Sequence, residues 1–264
     1  MELFIDELKS NSLSLNISNK ITKIVGNTNA RYNLIEEGDK VLVGFSGGKD
    51  SLTLIHTLKR MQSKVPFHFE FKAVTITYGM GEQVEFLSNH CKKYNIPHEI
   101  INTEIFDISK EKIRENSSFC SFVSRMRRGY LYTYALENGY NKLALGHHLD
   151  DAMESFFMNF FYNGSLRSMP PLYRAKNGLI VIRPLIFCRE RQLRAFASQN
   201  EISVVGDESC PAMRMDIKMP HARESTKELL AKLEESNPDI FVSMKSAFSH
   251  LHTNTFFDKD KLDK

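Results

Sequence analysis

The chain has 264 residues, of which 42% are hydrophobic and 25% charged, with a formal net charge of +3. This describes a soluble globular protein with a real core, and the small positive charge is compatible with a nucleic-acid partner. No apolar run approaches the roughly 18 residues of a membrane span, and acidic side chains in residues 1–12 argue against a secretory leader, so we expect a cytoplasmic protein. The four widely spaced cysteines favour buried thiols, metal ligands or catalytic groups over a disulfide framework.

Strand-like and helical runs alternate along the chain, a pattern typical of parallel βαβ units. A helix over 17–34 precedes the first strand. The predicted strands cover 40–45, 71–77, 98–103, 142–146 and 179–184. The predicted helices that follow cover 51–62, 83–94, 121–138, 152–162, 189–200, 221–235 and 238–252. The sequence therefore predicts an open, mostly parallel five-stranded sheet with helices on both faces.

The domain organisation follows from what the sequence lacks. It contains no internal repeat, no low-complexity segment and no linker rich in Pro, Gly or Ser. We therefore expect one α/β domain over 40–210, with a helical extension over 1–39 and a second over 211–264.

The first strand is followed by a glycine turn that opens a helix, Ser46-Gly47-Gly48-Lys49-Asp50-Ser51. The two glycines allow successive backbone N–H groups to converge on one anion, to which the helix start adds partial positive charge. The turn lacks the Walker A spacing and resembles the PP-loop of ATP pyrophosphatases, which split ATP into AMP and pyrophosphate while adenylating an acceptor. We expect the whole turn to bind ATP, with Lys49 and Asp50 also acting in catalysis.

Ligands of open α/β sheets bind at the carboxyl ends of the strands, so residues after other strands are also candidates. Thr75 lies near the end of the second strand, where adenine would lie against the backbone. The fourth strand leads into Gly146-His147-His148-Leu149-Asp150-Asp151, which opens a helix. Adjacent carboxylates are suited to hold Mg²⁺ on phosphates, because this ion prefers carboxylate oxygens. We expect Thr75, Gly146, His147 and Asp151 to bind ATP, and Asp150 and Asp151 to hold Mg²⁺.

Cys120 stands at the start of a predicted helix, and three arginines follow one turn later. These arginines are Arg125, Arg127 and Arg128. A helix start and nearby guanidinium groups lower the pKa of a thiol, and arginines also bind a phosphate backbone, here that of RNA. Cys210, in an irregular Pro-bearing loop, is the natural partner of Cys120. Cys91 and Cys188 lie in helical contexts and are expected to be structural.

Together these motifs resemble the tRNA 2-thiocytidine synthetase (TtcA) family over about residues 19–250. Further motifs that carry the resemblance are Met169-Pro170-Pro171, Arg183-Pro184-Leu185 and Cys188-Arg189-Glu190. The resemblance implies an ATP- and Mg²⁺-dependent enzyme that adenylates the C2 oxygen of a cytidine in the tRNA anticodon loop and lets sulfur displace AMP. It also implies a 4Fe–4S cluster on three cysteines, with one iron left to carry the incoming sulfur.

The sequence departs from the family at one cluster ligand. A C-x-x-C pattern would place a cysteine at position 123, where this chain has Val123, whereas Cys120 and Cys210 match the first and third ligands. Three alternatives stay open: a cluster on two cysteines with Asp207 or Glu208, persulfide chemistry on two thiols, or loss of sulfur transfer. In the first two, both cysteines meet near the ATP α-phosphate at the carboxyl edge of the sheet, and Val123 faces the same pocket.

Other functions compatible with a PP-loop are a pyrophosphatase acting on another base or acceptor, and a nucleotide- or cluster-binding regulatory protein without turnover. Cys120 argues against a ligase that delivers an amine, because such a ligase needs no thiol. The sulfur donor, such as a cysteine desulfurase or free sulfide, is not specified by the sequence, nor is the choice between monomer and homodimer.

Overall fold

The computed structural model describes residues 14–112, 119–202, 204–205 and 221–257. Over these residues the strands are β1 Lys40–Gly44, β2 Glu70–Ile76, β3 His98–Ile101, β4 Lys142–Ala144, β5 Leu172–Arg174 and β6 Ile180–Ile182. The helices over the same residues are α1 Asn19–Tyr32, α2 Lys49–Gln62, α3 Glu85–Lys93, α4 Ile105–Lys112, α5 Phe119–Glu137, α6 Leu149–Tyr162, α7 Glu190–Gln199, α8 His221–Ser236 and α9 Ile240–Ala247, with a 3₁₀ turn at Thr253–Thr255.

The strands form one sheet in the order β3-β2-β1-β4-β6-β5, and all are parallel except β5. The chain runs outward from β1 through β2 to β3 and then returns to the other side of β1 as β4. The strand order therefore reverses between β1 and β4, and a crevice at the carboxyl ends of these two strands is the usual ligand site of such sheets. Val43 of β1 is paired with Ala73 of β2 and with Ala144 of β4.

The mostly parallel α/β fold is confirmed, but the five-stranded prediction is wrong by one strand, because the described residues contain six. The added strand, β5, spans only three residues and pairs antiparallel with β6 at the sheet edge. The turn between them is closed by a hydrogen bond from Ala175 N to the Leu179 carbonyl at 2.8 Å. Helix α4 was also not predicted. It begins after Thr103, whose hydroxyl accepts a hydrogen bond from Ile105 N at 3.4 Å.

Side chains alternate between the two faces of the sheet, and each face is covered by helices. Val41, Val43 and Phe45 belong to one core, and Leu42 belongs to the other. The first core is completed by side chains of α1, α2, α3 and α7, among them Ile21, Ile55, Leu87 and Phe196. The second core is completed by α4 and α5, through Ile105, Phe119, Val123, Leu131 and Ala135.

The chain divides into two compact units, Met1–His148 with Pro170–Met219, and Leu149–Met169 with Pro220–Lys264. The first unit contains the sheet. The second contains α6, α8 and α9, and its core is formed by Leu149, Met153, Leu230 and Phe241. This division assigns α6 to the same unit as the C-terminal helices, whereas the sequence groups α6 with the sheet. No helix in the described part of the chain is long and apolar enough to cross a membrane.

Candidate active site

The turn between β1 and α2 is built around a glycine in the left-handed region. Gly47 has φ of 77°, which side-chain-bearing residues rarely adopt. A Cβ at this position would also collide with methyl groups of Val205 and Leu87. The Gly47 carbonyl accepts a hydrogen bond from Val205 N at 3.0 Å. Only glycine fits here, and the turn is held against the segment that follows α7.

Two serine hydroxyls stabilise this turn at the start of α2. Ser51 Oγ accepts a hydrogen bond from Ser46 N at 3.2 Å and donates one to the Gly48 carbonyl at 3.0 Å. The two serine oxygens lie 3.2 Å apart. The predicted phosphate-binding groups are thus gathered at the carboxyl end of β1, where the helix start favours an anion.

Lys49, the first residue of α2, lies between two carboxylates. Its ammonium is 3.3 Å from Asp50 Oδ1 and 3.1 Å from Glu190 Oε1, at the first residue of α7. Burial acts to lower the pKa of Lys49, but the nearby charge of Asp50 and the hydrogen bond to Glu190 outweigh it, and the net pKa is raised. The lysine therefore stays cationic. Glu190 was not predicted as a site residue, although it belongs to one of the resemblance motifs.

The segment after β4 contacts the start of α2, as the strand order predicts. A Cβ on Gly146 would lie 3.1 Å from the carbonyl carbon of Asp50 and 3.2 Å from Ser51 N, so the backbones approach closely. His148 is buried, and its Nε2 lies 3.7 Å from Asp50 Oδ1. The structure thus brings Gly146 and the PP-loop together at one edge of the sheet.

Arg183 follows β6, and its side chain contacts the segment that follows β4. Its Nε donates to His147 Nδ1 at 3.3 Å, and one terminal nitrogen donates to the Pro170 carbonyl at 2.7 Å. Its guanidinium carbon lies 5.1 Å from the centroid of the Tyr173 ring. Arg183 is buried, and burial lowers its pKa, against the raising effect of Tyr173. Nothing in the sequence alone connects this arginine with His147.

Thr75, predicted to lie near adenine, is buried in β2 and bonded to a histidine. Its Oγ1 lies 2.9 Å from His98 Nε2, and His98 Nδ1 lies 3.0 Å from Ser88 Oγ. Burial lowers the pKa of His98 to about 4, so the ring is neutral. The hydroxyl of Thr75 already has a hydrogen-bond partner within the protein. Contact of this residue with adenine stays a prediction, and it fits the backbone of Thr75 better than the side chain.

The three arginines of α5 differ in their surroundings. Arg125 and Arg128 are exposed, whereas Arg127 is half-buried. Arg127 donates a hydrogen bond to the Tyr78 hydroxyl at 2.9 Å, and its guanidinium lies 5.8 Å from the centroid of that ring. Tyr78 follows β2, so Arg127 connects α5 to the carboxyl edge of the sheet. Sequence reasoning did not detect Tyr78 as the partner.

The predicted Mg²⁺ ligands lie in the first turn of α6, in the second unit. Asp151 Oδ1 accepts a hydrogen bond from Arg223 at 2.8 Å, and the same guanidinium binds Glu154 at 2.8 Å. The pKa of Arg223 is lowered by burial but raised more by Glu154 and Asp151, with a net increase. Asp150 and Asp151 supply the oxygen donors that Mg²⁺ prefers, so the donor set fits the ion.

The side chains of the two cysteines that were predicted to carry the sulfur chemistry lie outside the described part of the structure. Cys120 is in the first turn of α5, its side chain is not among those described, and Cys210 lies outside the described residues altogether. Val123 is buried within the second core, and its side chain supplies no metal ligand. Among the described residues no group of three His, Cys, Asp or Glu is arranged to hold a metal. Position 123 therefore supplies no cysteine to a cluster, and Cys120 and Cys210 are the two cysteines that match the ligand pattern.

The other two cysteines are buried and unreactive. Cys91 of α3 and Cys188 both lie in the first core. Burial raises the pKa of each thiol to about 12, which suppresses the nucleophilic thiolate. Both are packing residues, as the sequence indicated.

Known proteins similar to this chain match most of its length. A family model described as a PP-loop domain matches residues 13–216. A tRNA-cytidine(32) 2-sulfurtransferase of Geobacter metallireducens is 41% identical over 244 residues, covering 91% of this chain and 93% of the relative. One from Pseudomonas syringae pv. syringae is 36% identical over 259 residues, covering 96% and 92%. The U34-tRNA thiolase NcsA of Methanococcus maripaludis, solved with its [4Fe-4S] cluster, matches the fold with a TM-score of 0.70 at 21% identity, covering 93% of this chain and 84% of that chain.

Proposed function

This chain belongs to the tRNA-cytidine(32) 2-sulfurtransferase family of PP-loop proteins, and we propose that it adenylates a tRNA cytidine with ATP and then replaces the C2 oxygen by sulfur. The family match confirms the predicted resemblance and the ATP-dependent sulfurtransferase class. The observation that carries the proposal is the glycine turn after β1, with the cationic Lys49 beside it. We propose that this enzyme acts on tRNA in the cytoplasm.

ATP binds with its phosphates at the start of α2. Backbone N–H groups of the turn, the hydroxyls of Ser46 and Ser51, and the ammonium of Lys49 donate to phosphate oxygens. Asp150 and Asp151 would hold the Mg²⁺, which would neutralise phosphate charge. Gly146 and His147, from the segment after β4, border the nucleotide. The adenylated oxygen of the cytidine then leaves as AMP.

The tRNA anticodon loop binds beside this edge. Single-stranded loops are where RNA bases are splayed out for recognition and chemistry. The exposed Arg125 and Arg128 bind backbone phosphates, and Arg127 contributes to the same surface from its position against Tyr78. The proposal is supported by the location of these arginines on α5, whose first turn contains Cys120.

Cys120 and Cys210 deliver the sulfur as a persulfide, since Val123 replaces the second of the three cluster cysteines of the family. The terminal sulfur of a persulfide on one thiol attacks C2, and the C–O bond to AMP breaks. The second thiol then attacks the carrier sulfur, the S–S bond breaks, and the 2-thiocytidine leaves with its sulfur while the two cysteines form a disulfide. A sulfane-sulfur donor, such as a cysteine desulfurase, loads the persulfide, and a dithiol reductant restores the thiols.

The proposal is tested with ATP, Mg²⁺, bulk tRNA lacking thiolation, a persulfide donor and a dithiol reductant. Pyrophosphate release is measured together with 2-thiocytidine in digested tRNA by mass spectrometry. We expect tRNA-dependent pyrophosphate release and 2-thiocytidine. Cys120→Ser and Cys210→Ser should abolish thiolation yet keep ATP binding, whereas Cys91→Ser should stay active. Pyrophosphate without thionucleoside would refute sulfur transfer, and ADP as product would refute the pyrophosphatase assignment.

A further inference from the structure

Arg183 is a buried cation whose donors have specific partners. Its side chain joins two segments at the carboxyl edge of the sheet, since Nε donates to His147 Nδ1 at 3.3 Å and a terminal nitrogen donates to the Pro170 carbonyl at 2.7 Å. Its main chain is fixed as well, because Arg183 N donates to the Pro171 carbonyl at 2.8 Å. The guanidinium therefore has little freedom to release His147.

The contact determines where His147 carries its proton. A guanidinium nitrogen in a protein donates and does not accept, because arginine remains protonated. His147 Nδ1 must therefore present its lone pair to Arg183. In the neutral ring only one nitrogen carries hydrogen, so the proton lies on Nε2. A ring protonated on both nitrogens would place an N–H against the guanidinium and lose the hydrogen bond.

An aromatic ring that packs against the guanidinium stabilises this arrangement. The Tyr173 ring lies 5.1 Å from the guanidinium carbon, within the range of a cation–π contact. The Tyr173 hydroxyl is in turn 2.7 Å from the Tyr132 hydroxyl on α5. Arg183 thus packs against Tyr173 of β5, which is itself bound to α5, while its Nε donates to His147. A lysine has no planar fork and does not reproduce this pair of directed bonds.

We propose that Arg183 is a positioning residue that holds His147 as its Nε2–H tautomer, a neutral hydrogen-bond donor to a phosphate oxygen of ATP. His147 directly follows Gly146, whose backbone packs against the first turn of α2, where the phosphates bind. A neutral donor adds a hydrogen bond at this edge without adding charge. This role rests on the proposed function for its ligand, but the tautomer itself does not.

The tautomer is tested directly by long-range ¹H–¹⁵N correlation spectra of histidine-labelled protein. The His147 signals are assigned by their loss in His147→Gln. We expect wild-type His147 to show an unprotonated Nδ1 and a protonated Nε2, and Arg183→Lys to lose this pattern. The matched control is Arg174→Lys on the adjacent strand β5, because Arg174 is exposed and donates to the Gly178 carbonyl instead. An Nδ1–H signature in the wild type would overturn the proposal.

The role of the donor is tested by kinetics in the native Arg183 background, so that folding of the arginine variant is not required. The amide nitrogen of glutamine reaches the Nε2 position, whereas that of asparagine reaches only the Nδ1 position. We expect His147→Gln to raise the KM for ATP less than about fivefold, and His147→Asn to raise it about 10- to 100-fold. The KM for tRNA should be unchanged in both. Equal effects of Gln and Asn would overturn the donor role.

The two proposals fail in distinguishable ways. A wild-type protein that releases no pyrophosphate would refute the proposed function, and the spectrum would still report the tautomer. If the wild type is active but Arg183→Lys changes neither the His147 spectrum nor the KM for ATP, only the positioning role is refuted.

Discussion

The Glu190 carboxylate lies 3.1 Å from the Lys49 ammonium, so the cation assigned to the ATP phosphates is bound by a carboxylate from the start of α7. The same Glu190 oxygen lies 3.2 Å from Arg194, one turn further along that helix. We therefore expect ATP to compete with Glu190 for Lys49. The carboxylate holds the lysine in place and at the same time opposes the negatively charged ligand.

Replacing Lys49 with Ala is expected to weaken ATP binding or its transition state by about 1.5–3 kcal/mol, because a charge-assisted hydrogen bond to phosphate is lost. The measurement is tRNA-dependent pyrophosphate release over a range of ATP concentrations. Full activity of Lys49→Ala would contradict the assignment of this turn to ATP.

Glu190→Gln is expected to bind ATP about two- to fivefold more tightly, since a partly exposed ion pair of this kind is worth up to about 1 kcal/mol. Isothermal titration with a non-hydrolysable ATP analogue measures the change. The matched control is Asp107→Asn, which removes an exposed ion pair with Lys110 on α4 and should leave ATP affinity unaltered. Weaker ATP binding by Glu190→Gln would mean that Glu190 favours binding by orienting Lys49 more than it opposes binding by competing with ATP.

Stability is expected to fall as the pH drops below about 6.5, where the unfolded histidines begin to take up protons. Burial lowers the pKa of His56 to about 3 and that of His98 to about 4, and it also lowers that of His90. Because the folded pKa values are depressed, the unfolded chain binds protons first, and the stability present above pH 6.5 is progressively lost. His56 and His98 should each cost about 2 kcal/mol at pH 5.

Urea unfolding at pH 7.5 and pH 5.0 measures this loss. His98→Gln should reduce the difference between the two pH values, whereas His68→Gln should not, since the His68 side chain is 75% exposed. A wild-type stability that is the same at both pH values would contradict the assignment of neutral buried rings.

The double variant Arg125→Ala with Arg128→Ala is expected to weaken tRNA binding and to lower its salt dependence, by about 0.7 in the log–log slope for each lost phosphate contact. ATP affinity should be retained. Filter binding at several salt concentrations measures both effects. Arg31→Ala, an exposed arginine in the last turn of α1, is the control. Unchanged tRNA affinity in the double variant would make the two arginines structural.

Val123→Cys is expected to complete the three-cysteine pattern with Cys120 and Cys210, and with it to give the chain the ability to bind a 4Fe–4S cluster. Anaerobic reconstitution with iron and sulfide, followed by an absorbance spectrum and iron analysis, measures the gain relative to wild type. Val181→Cys is the matched control, because it places a buried thiol elsewhere in the second core. If the wild type binds a full cluster as Val123→Cys does, other groups complete the cluster in the wild type.

The parts of the site that were predictable from sequence are those encoded by local rules. Gly47 and Gly146 stand after strands, at positions where backbones must approach closely or adopt a positive φ, and the structure brings both to one edge. The strands and helices on either side of them belong to the alternating βαβ pattern that the sequence shows. These features depend on neighbouring residues, so a single sequence reveals them.

The contacts that were not predicted join residues distant in sequence. Glu190 pairs with Lys49, and Arg183 with His147, only because β6 and α7 return to the carboxyl edge. Charged residues near strand ends are common, and nothing local distinguishes these two. Strand β5 was missed for a different reason, because three residues are too few to show a period-two pattern.

The hydrogen bond from Val205 N to the Gly47 carbonyl joins the glycine turn to an amide in the segment that follows α7. We expect phosphates bound in the turn to make this bond open less often, so that the Val205 amide exchanges its hydrogen more slowly with solvent. Hydrogen–deuterium exchange at this amide therefore reads out occupancy of the PP-loop from a residue far along the chain. An unlabelled, unmodified protein is sufficient for that measurement.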